Sequence, residues 1–403
     1  MTDQPTNIPP RQGTPAEVFA AFLKLGLTSF GGPIAHLGYF RDELVTRRKW
    51  LNDSAYADLV ALCQFLPGPA SSQVGFALGL MRAGWAGALA AFAAFTLPSA
   101  LVLLVFAMTA ASISGPVGDG ALHGLKIVAV AIVAQAVWGM ARNLCPDKER
   151  AAIAAVAVAV LAFVPGALGM IGAILIGAIL GLALGRGTVT KVHGPAILPI
   201  SRKLATGAGI AFLGLLTLLP LLATQGQALA VIDSFYRAGA LVFGGGHVVL
   251  PLLQAETVAT GWVTPDQFLA GYGAAQAAPG PLFTFAAYLG AVLGPAPNGL
   301  TGAVLALLAL FLPGFLILIA ALPFWNRFRS IAQAQSLMQG ANAAVVGILG
   351  AALYTPVFSS AIGDLRDFAL ALICFVLLTA WKSPPWVVVI LSVPGGIALA
   401  LIP

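Results

Sequence analysis

Ser29-Phe30-Gly31-Gly32-Pro33 and Gln64-Phe65-Leu66-Pro67-Gly68-Pro69 come back later in the chain as Phe243-Gly244-Gly245-Gly246 and Gln276-Ala277-Ala278-Pro279-Gly280-Pro281. The offset is 213 residues from Phe30 to Phe243 and 212 from Gln64 to Gln276. Further matches fall in the same order. Lys24 pairs with Arg237, Gly26 with Gly239, Glu43 with Glu256, Trp50 with Trp262, Gly87 with Gly302, Pro98 with Pro313, and Gly124 with Gly340. So many ordered matches at a nearly constant spacing mark a duplication, an architecture common among membrane transporters.

Composition says which solvent the fold needs. Hydrophobic residues make up 59% of the 403 and charged residues only 8%, against about 25% charged in ordinary soluble domains. A soluble fold could not hide that much apolar surface, so the bilayer must solvate most of it. The net charge of +6 sits mostly in short loops between apolar runs. That reads as the cytoplasmic bias of Lys and Arg and not as a nucleic-acid surface. Cys63, Cys145 and Cys374 stand singly, so no metal site, disulfide framework or cofactor is expected.

The basic loops change places between the halves. RDELVTRRKW follows the first Gly-Gly turn, while QAETVATGW follows the second without a Lys or Arg. After the Pro98 run the first half reads ASISGPVGDG, without a basic residue, whereas Arg327 and Arg329 follow the Pro313 run. The expected fold is therefore all-α and polytopic, with two inverted-topology repeats whose broken or re-entrant helices meet at a central cavity. Crossings are expected at about 86–110, 122–142, 151–164 and 167–185, at 298–323, 336–356, 367–381 and 385–402, and at 206–223 between the halves. Cytoplasmic turns are expected at Arg142/Lys148/Arg150 and at Arg186/Lys191/Arg202/Lys203. In domain terms, residues 1–15 read as a disordered cytoplasmic leader and 16–190 as the first repeat. Residues 191–230 read as a linker with one transmembrane helix, and 231–403 as the second, inverted repeat.

Four apolar stretches, about 17–40, 54–81, 232–251 and 267–290, are interrupted by Gly-Gly or Pro-Gly-Pro. Their arms are too short to cross a bilayer alone. Irregular backbone survives at membrane depth only inside protein or beside water, so the four tips should gather near the midplane. Pro67 and Pro279 end a helix, Gly68 and Gly280 allow the reversal, and Pro69 and Pro281 open the next helix. Free N–H groups at those starts would make an anion site. Lys24 and Arg237 would supply counter-charge, or else snorkel to an interface. The Gln64 and Gln276 amides could donate to an anion or hold the broken backbone. Ser71, Ser72 and Thr284 could donate to it or bond backbone. His36 and His247 could carry a proton, though each reads more simply as a satisfied polar group. Glu43 and Glu256 read as solvated caps or ion pairs, and Lys126 as snorkelling. The candidate binding set is completed by Phe30, Gly31, Gly32, Gly244, Gly245 and Gly246.

These motifs resemble the chromate ion transporter family: SFGGP, the RDELVTRRKWL loop, LPGP at Leu66–Pro69, the second FGGG with Pro251 nearby, and APGP at Ala278–Pro281. The resemblance spans both halves. It implies export of chromate, with sulfate as a related ligand, from a bacterial cytoplasm through the inner membrane. The sequence holds no GxxxxGK[ST] phosphate loop, so a secondary transporter driven by a gradient or by exchange is expected. The alternatives are a sulfate or oxyanion importer or exchanger, and an intramembrane enzyme. The latter would need a redox site that the three scattered cysteines do not offer. The expected partners are chromate, sulfate and the lipid bilayer, without nucleic acid; the sequence leaves open whether two copies form a homodimer.

Overall fold

A computed structural model describes residues 13–110, 115–185, 187, 200–243, 245–325 and 331–401, and these contain helices and no strand. The first half comprises α1 (Pro15–Thr28), α2 (Gly32–Phe40), α3 (Asp53–Phe65), α4 (Ala70–Ala110), α5 (Pro116–Leu144), α6 (Lys148–Phe163) and α7 (Ala167–Leu184). After α8 (Arg202–Leu222), the second half comprises α9 (Gln227–Ala240), α10 (Val249–Thr257), α11 (Pro265–Ala277), α12 (Phe285–Val292) and α13 (Gly299–Ala321). It ends with α14 (Ala332–Ala352), α15 (Leu365–Thr379) and α16 (Pro385–Leu401). The expected leader falls almost wholly outside the described residues, as do Arg186, Lys191, Arg327 and Arg329.

The duplication is visible in helix lengths. α1 and α9 both have 14 residues, α2 and α10 both 9, and α3 and α11 both 13. At about 1.5 Å per residue the longest of these reaches roughly 21 Å, short of a hydrocarbon core of about 30 Å. α3 and α11 start alike. The Asn52 side chain caps α3 through the Ala55 N–H, and Thr264 and Gln267 form a capping box on α11.

Both Pro-Gly-Pro stretches return to the face they left. α4 is non-helical at Ala83 and Gly84, which divides it into arms 70–82 and 85–110. The Arg82 guanidinium at that bend lies 5.3 Å from the Trp50 ring and 3.1 Å from Glu17, so the loop before α3 meets the bend after 70–82. In the second half the Gly294 N–H donates to the Trp262 carbonyl at 2.9 Å, closing the equivalent hairpin.

The expected crossings appear as 85–110, α5, α6, α7, α8, α13, α14, α15 and α16. Six helices among the described residues are long and apolar enough to cross a membrane; α6, α15 and α16 are shorter, at 16, 15 and 17 residues. Outward faces are apolar, with Phe163 87% and Leu168 81% exposed, as a lipid-facing surface requires. The chain is thus a multi-pass membrane protein. The halves exchange helices: α5 packs on α15 and α16 of the second half, and α14 packs on α6 and α7 of the first. The equivalent Gly124 and Gly340 lie against Ser392 and Gly177 backbone in those contacts, the close approach small residues permit in lipid.

Candidate functional site

The four breaks come together. The Gly68 N–H, in the first Pro-Gly-Pro, donates to the Val242 carbonyl at 2.8 Å, beside the second glycine turn. The Gly280 N–H donates to the Ser29 carbonyl at 2.8 Å, beside the first. Ser29 and Val242 are equivalent positions, so each bond turns into the other when the halves are exchanged. Between them Gly246 rests on the ring of Pro33, its own equivalent. Gly31 and Gly32 hold φ of 97° and 80°, and Gly245 holds 144°. Gly244 lies outside the described residues.

The glycine amides of Pro-Gly-Pro are both spent on backbone carbonyls of the other half. The donors left by helix geometry are the N–H groups of Ala70, Ser71 and Ser72, which precede the first intrahelical donor of α4, the Gln73 N–H on the Pro69 carbonyl, with the positive end of the helix dipole behind them. In the second half, a 3-10 turn (Leu282–Thr284) leads into α12.

The expected side chains divide. Ser71 Oγ lies 3.4 Å from His36 Nδ1, with both residues buried. Ser72 is buried with its hydroxyl unpartnered. Thr284 donates to the Pro281 carbonyl at 2.7 Å and so serves the backbone. Gln64 is exposed at the end of α3. The amide that holds the first break is Gln73, which sequence reading passed over: its Nε2 donates to the Pro67 carbonyl at 2.9 Å and to the Gly314 carbonyl at 2.8 Å. Gln276 is half-buried, its Nε2 without a partner. His247 Nδ1 lies 2.8 Å from the Tyr272 hydroxyl, the satisfied arrangement. Phe30 packs on Trp386 of the other half, 5.8 Å between ring centres.

Lys24 and Arg237 do not stand as bare cations. Each is paired with the acid that aligns with its partner's: Lys24 Nζ lies 2.7 Å from Glu43, and Arg237 Nε 3.2 Å from Glu256. Both acids are buried, at 7% exposure, so they are not solvated caps. The surroundings differ. Glu43 also meets Arg47 at 3.1 Å and Arg48 at 2.8 Å, which puts three cations on one carboxylate. Arg237 also meets Asp233, which puts two carboxyls on one guanidinium. Burial alone would raise the Glu43 carboxyl. The hydrogen bonds from Lys24 and Arg48 and the charges of Lys24 and Arg47 outweigh it, and hold the group at about 2. Lys126 pairs with the exposed Asp266 of the second half at 3.0 Å.

Among the buried polar atoms without a hydrogen-bond partner, Ser29 Oγ, His36 Nε2, Ser72 Oγ, Gln73 Oε1 and Gln276 Nε2 lie at or beside the breaks. Native proteins leave few such groups unsatisfied. Gln73 Oε1 only accepts, whereas the two hydroxyls and the Gln276 NH2 can donate, and an oxyanion only accepts, so those three groups are suited to an anion.

The chain matches the family described as Chromate transporter over residues 16–182 and again over 229–397. It is 31% identical over 360 residues to the chromate transport protein of Pseudomonas aeruginosa, covering 87% of this chain and 83% of the relative. A probable chromate transport protein of Synechococcus elongatus is 27% identical over 396 residues, 93% of each chain. The chromate transport protein of Cupriavidus metallidurans is 27% identical over 394 residues, 94% of this chain and 92% of the relative. No solved structure matches the chain. Two family matches falling on the two halves that exchange helices and share four breaks make this chain a member of the chromate transporter family.

Proposed function

We propose that this protein is a secondary transporter that carries chromate out of the bacterial cytoplasm across the inner membrane, along a path between the four breaks. The observation that carries the reading is the set of unpartnered buried donors at those breaks, in a chain whose exterior is apolar. A tetrahedral dianion leaving water must recover its hydration from such donors and from helix N-termini. In this reading Ser72, Gln276, Ser29 and the first N–H groups of α4 touch the ion. Lys24 and Arg237 act one step back, setting the field through their paired acids.

The two repeats run in opposite senses through the membrane. Three side-chain pairs support this. His123, at the start of α5, meets Asp367, at the start of α15, at 2.7 Å. Lys126 on α5 meets Asp266 at the start of α11. Arg142 and Lys382, beyond the far ends of those α5 and α15 contacts, line one cavity. Parallel repeats would put the members of each pair on opposite faces. With the 41–50 loop inside, the three-cation cluster around Glu43 faces the cytoplasm and the Asp233–Arg237–Glu256 cluster faces outward. A positive mouth concentrates anions at the side they leave from. A membrane potential negative inside then favours outward movement of a dianion, by about 4–5 kcal/mol per 100 mV.

Everted membrane vesicles test the reading. Chromate should enter them when the chain is present, more so with an imposed potential, and should be recovered as chromate. Recovery as reduced chromium would replace transport by an enzymatic reaction, and accumulation only by right-side-out vesicles would reverse the direction.

A further inference from the structure

Away from the breaks, a cavity of about 560 Å³ opens on the outer surface between the last turns of α5 and the turn after α15. Its polar wall is Gln135, Arg142 and Asn143 from the first half and Thr379 and Lys382 from the second. Gln135 ties the walls together, its Nε2 donating to the Leu378 carbonyl at 3.2 Å. Lys382 holds a positive φ of 54°, and the Ser383 N–H donates to the Leu377 carbonyl at 2.9 Å, so the turn is a fixed one. Neither Arg142 nor Lys382 has an ion-pair partner among the described residues. One aromatic ring lines the cavity, and a second stands next to Lys382 in the chain. Trp138 is 59% exposed with the Arg142 guanidinium 5.9 Å from its ring, and Trp381 is 74% exposed.

We propose that this cavity binds the phosphate headgroup of an anionic phospholipid. Two cations without acids, with the Asn143 and Gln135 amides beside them, suit a phosphate oxyanion. Three features favour a lipid over a free ion. The cavity is open at the surface, with Trp138, Arg142 and Asn143 exposed along it. The exposed Trp138 lines it, a ring of the kind that marks headgroup level. Leu372, Ile373 and Val376, one to two turns before Thr379 on α15, are exposed and apolar, a track for an acyl chain. In the topology proposed above the site faces the cytoplasmic leaflet, where basic pockets between helices take anionic headgroups; the site itself does not depend on that orientation.

The test uses the full chain in vesicles and reads tryptophan fluorescence. Brominated phosphatidylglycerol should quench more strongly than brominated phosphatidylcholine at equal mole fraction. Trp138→Phe should remove most of the excess. Arg142→Gln with Lys382→Gln should weaken the preference on the order of tenfold, given two membrane-surface cations, while Arg142→Lys with Lys382→Arg should keep it. Unchanged emission and elution in unbrominated lipid show that the variants are folded. Equal quenching by both lipids overturns the proposal, as does a preference that survives in the double Gln variant. Abolition of the preference by millimolar inorganic phosphate also overturns it, because the site would then take a free anion.

Discussion

Lys24 and Arg237 occupy matching positions, yet they should respond differently to substitution. Lys24 is about half exposed, and its partner Glu43 keeps Arg47 and Arg48 when Lys24 is gone. Lys24→Gln should therefore cost about 1 kcal/mol. Arg237→Gln strands Asp233 and Glu256 with no cation between them, and removal of one partner from a buried pair costs about 3–5 kcal/mol. Thermal unfolding in detergent should rank the two, and adding Glu256→Gln to Arg237→Gln should recover part of the loss. The Glu43 carboxyl gives a pH test. Its native value, about 2, lies below the ordinary 4.5. Its stabilisation is thus complete above about 4.5 and fades as pH falls toward about 2, so Glu43→Gln should flatten the stability profile across that window. The ion pairs were partly legible. Asp233 and Arg237 stand four apart, the spacing of helix pairs, and Glu43 and Glu256 aligned. Gln73 was not legible: nothing in its position says that its amide reaches a carbonyl 241 residues further on.

Breaks in helices work here as joints between the halves. Gly68 and Gly280 hold φ of 114° and 96°, and a methyl group on either would come within 2.9 Å of Gly314 Cα or Ser99 Oγ. Gly68→Ala and Gly280→Ala should each cost at least about 1–3 kcal/mol through backbone strain alone, and loss of chromate transport should accompany the fall in melting temperature. Alanine in place of the cap at Thr264 should cost only about 1 kcal/mol, with transport kept, because it lies a full helix away from the break. All four breaks and their arms were readable from Gly-Gly and Pro-Gly-Pro, since those residues carry their backbone requirements with them. The destination of the freed amides was not. Sequence says that Gly68 N–H leaves its helix, and only the packing of the other half says that it goes to Val242.

For the whole molecule, the proposed opposed orientation of the halves has a direct test. Cysteine at Arg47 should react with an impermeant reagent only after the cytoplasmic face is opened, and cysteine at Thr260 should react in intact cells. Labelling of both from outside would refute the inversion. Repeat number, the nine uninterrupted apolar runs and the swap of basic loops were all plain in the sequence, because bilayer and translocation impose them on composition. The exchange of helices between halves was not, since apolar runs do not announce their partners.

That exchange has a genetic consequence. α5 finds its small-residue partner on α16, and α14 finds its own on α7, so neither half encodes a finished packing surface. A gene divided ahead of α8 should confer chromate tolerance when both fragments are made in one cell at matched dosage. Either fragment alone should confer none and be cleared by quality control.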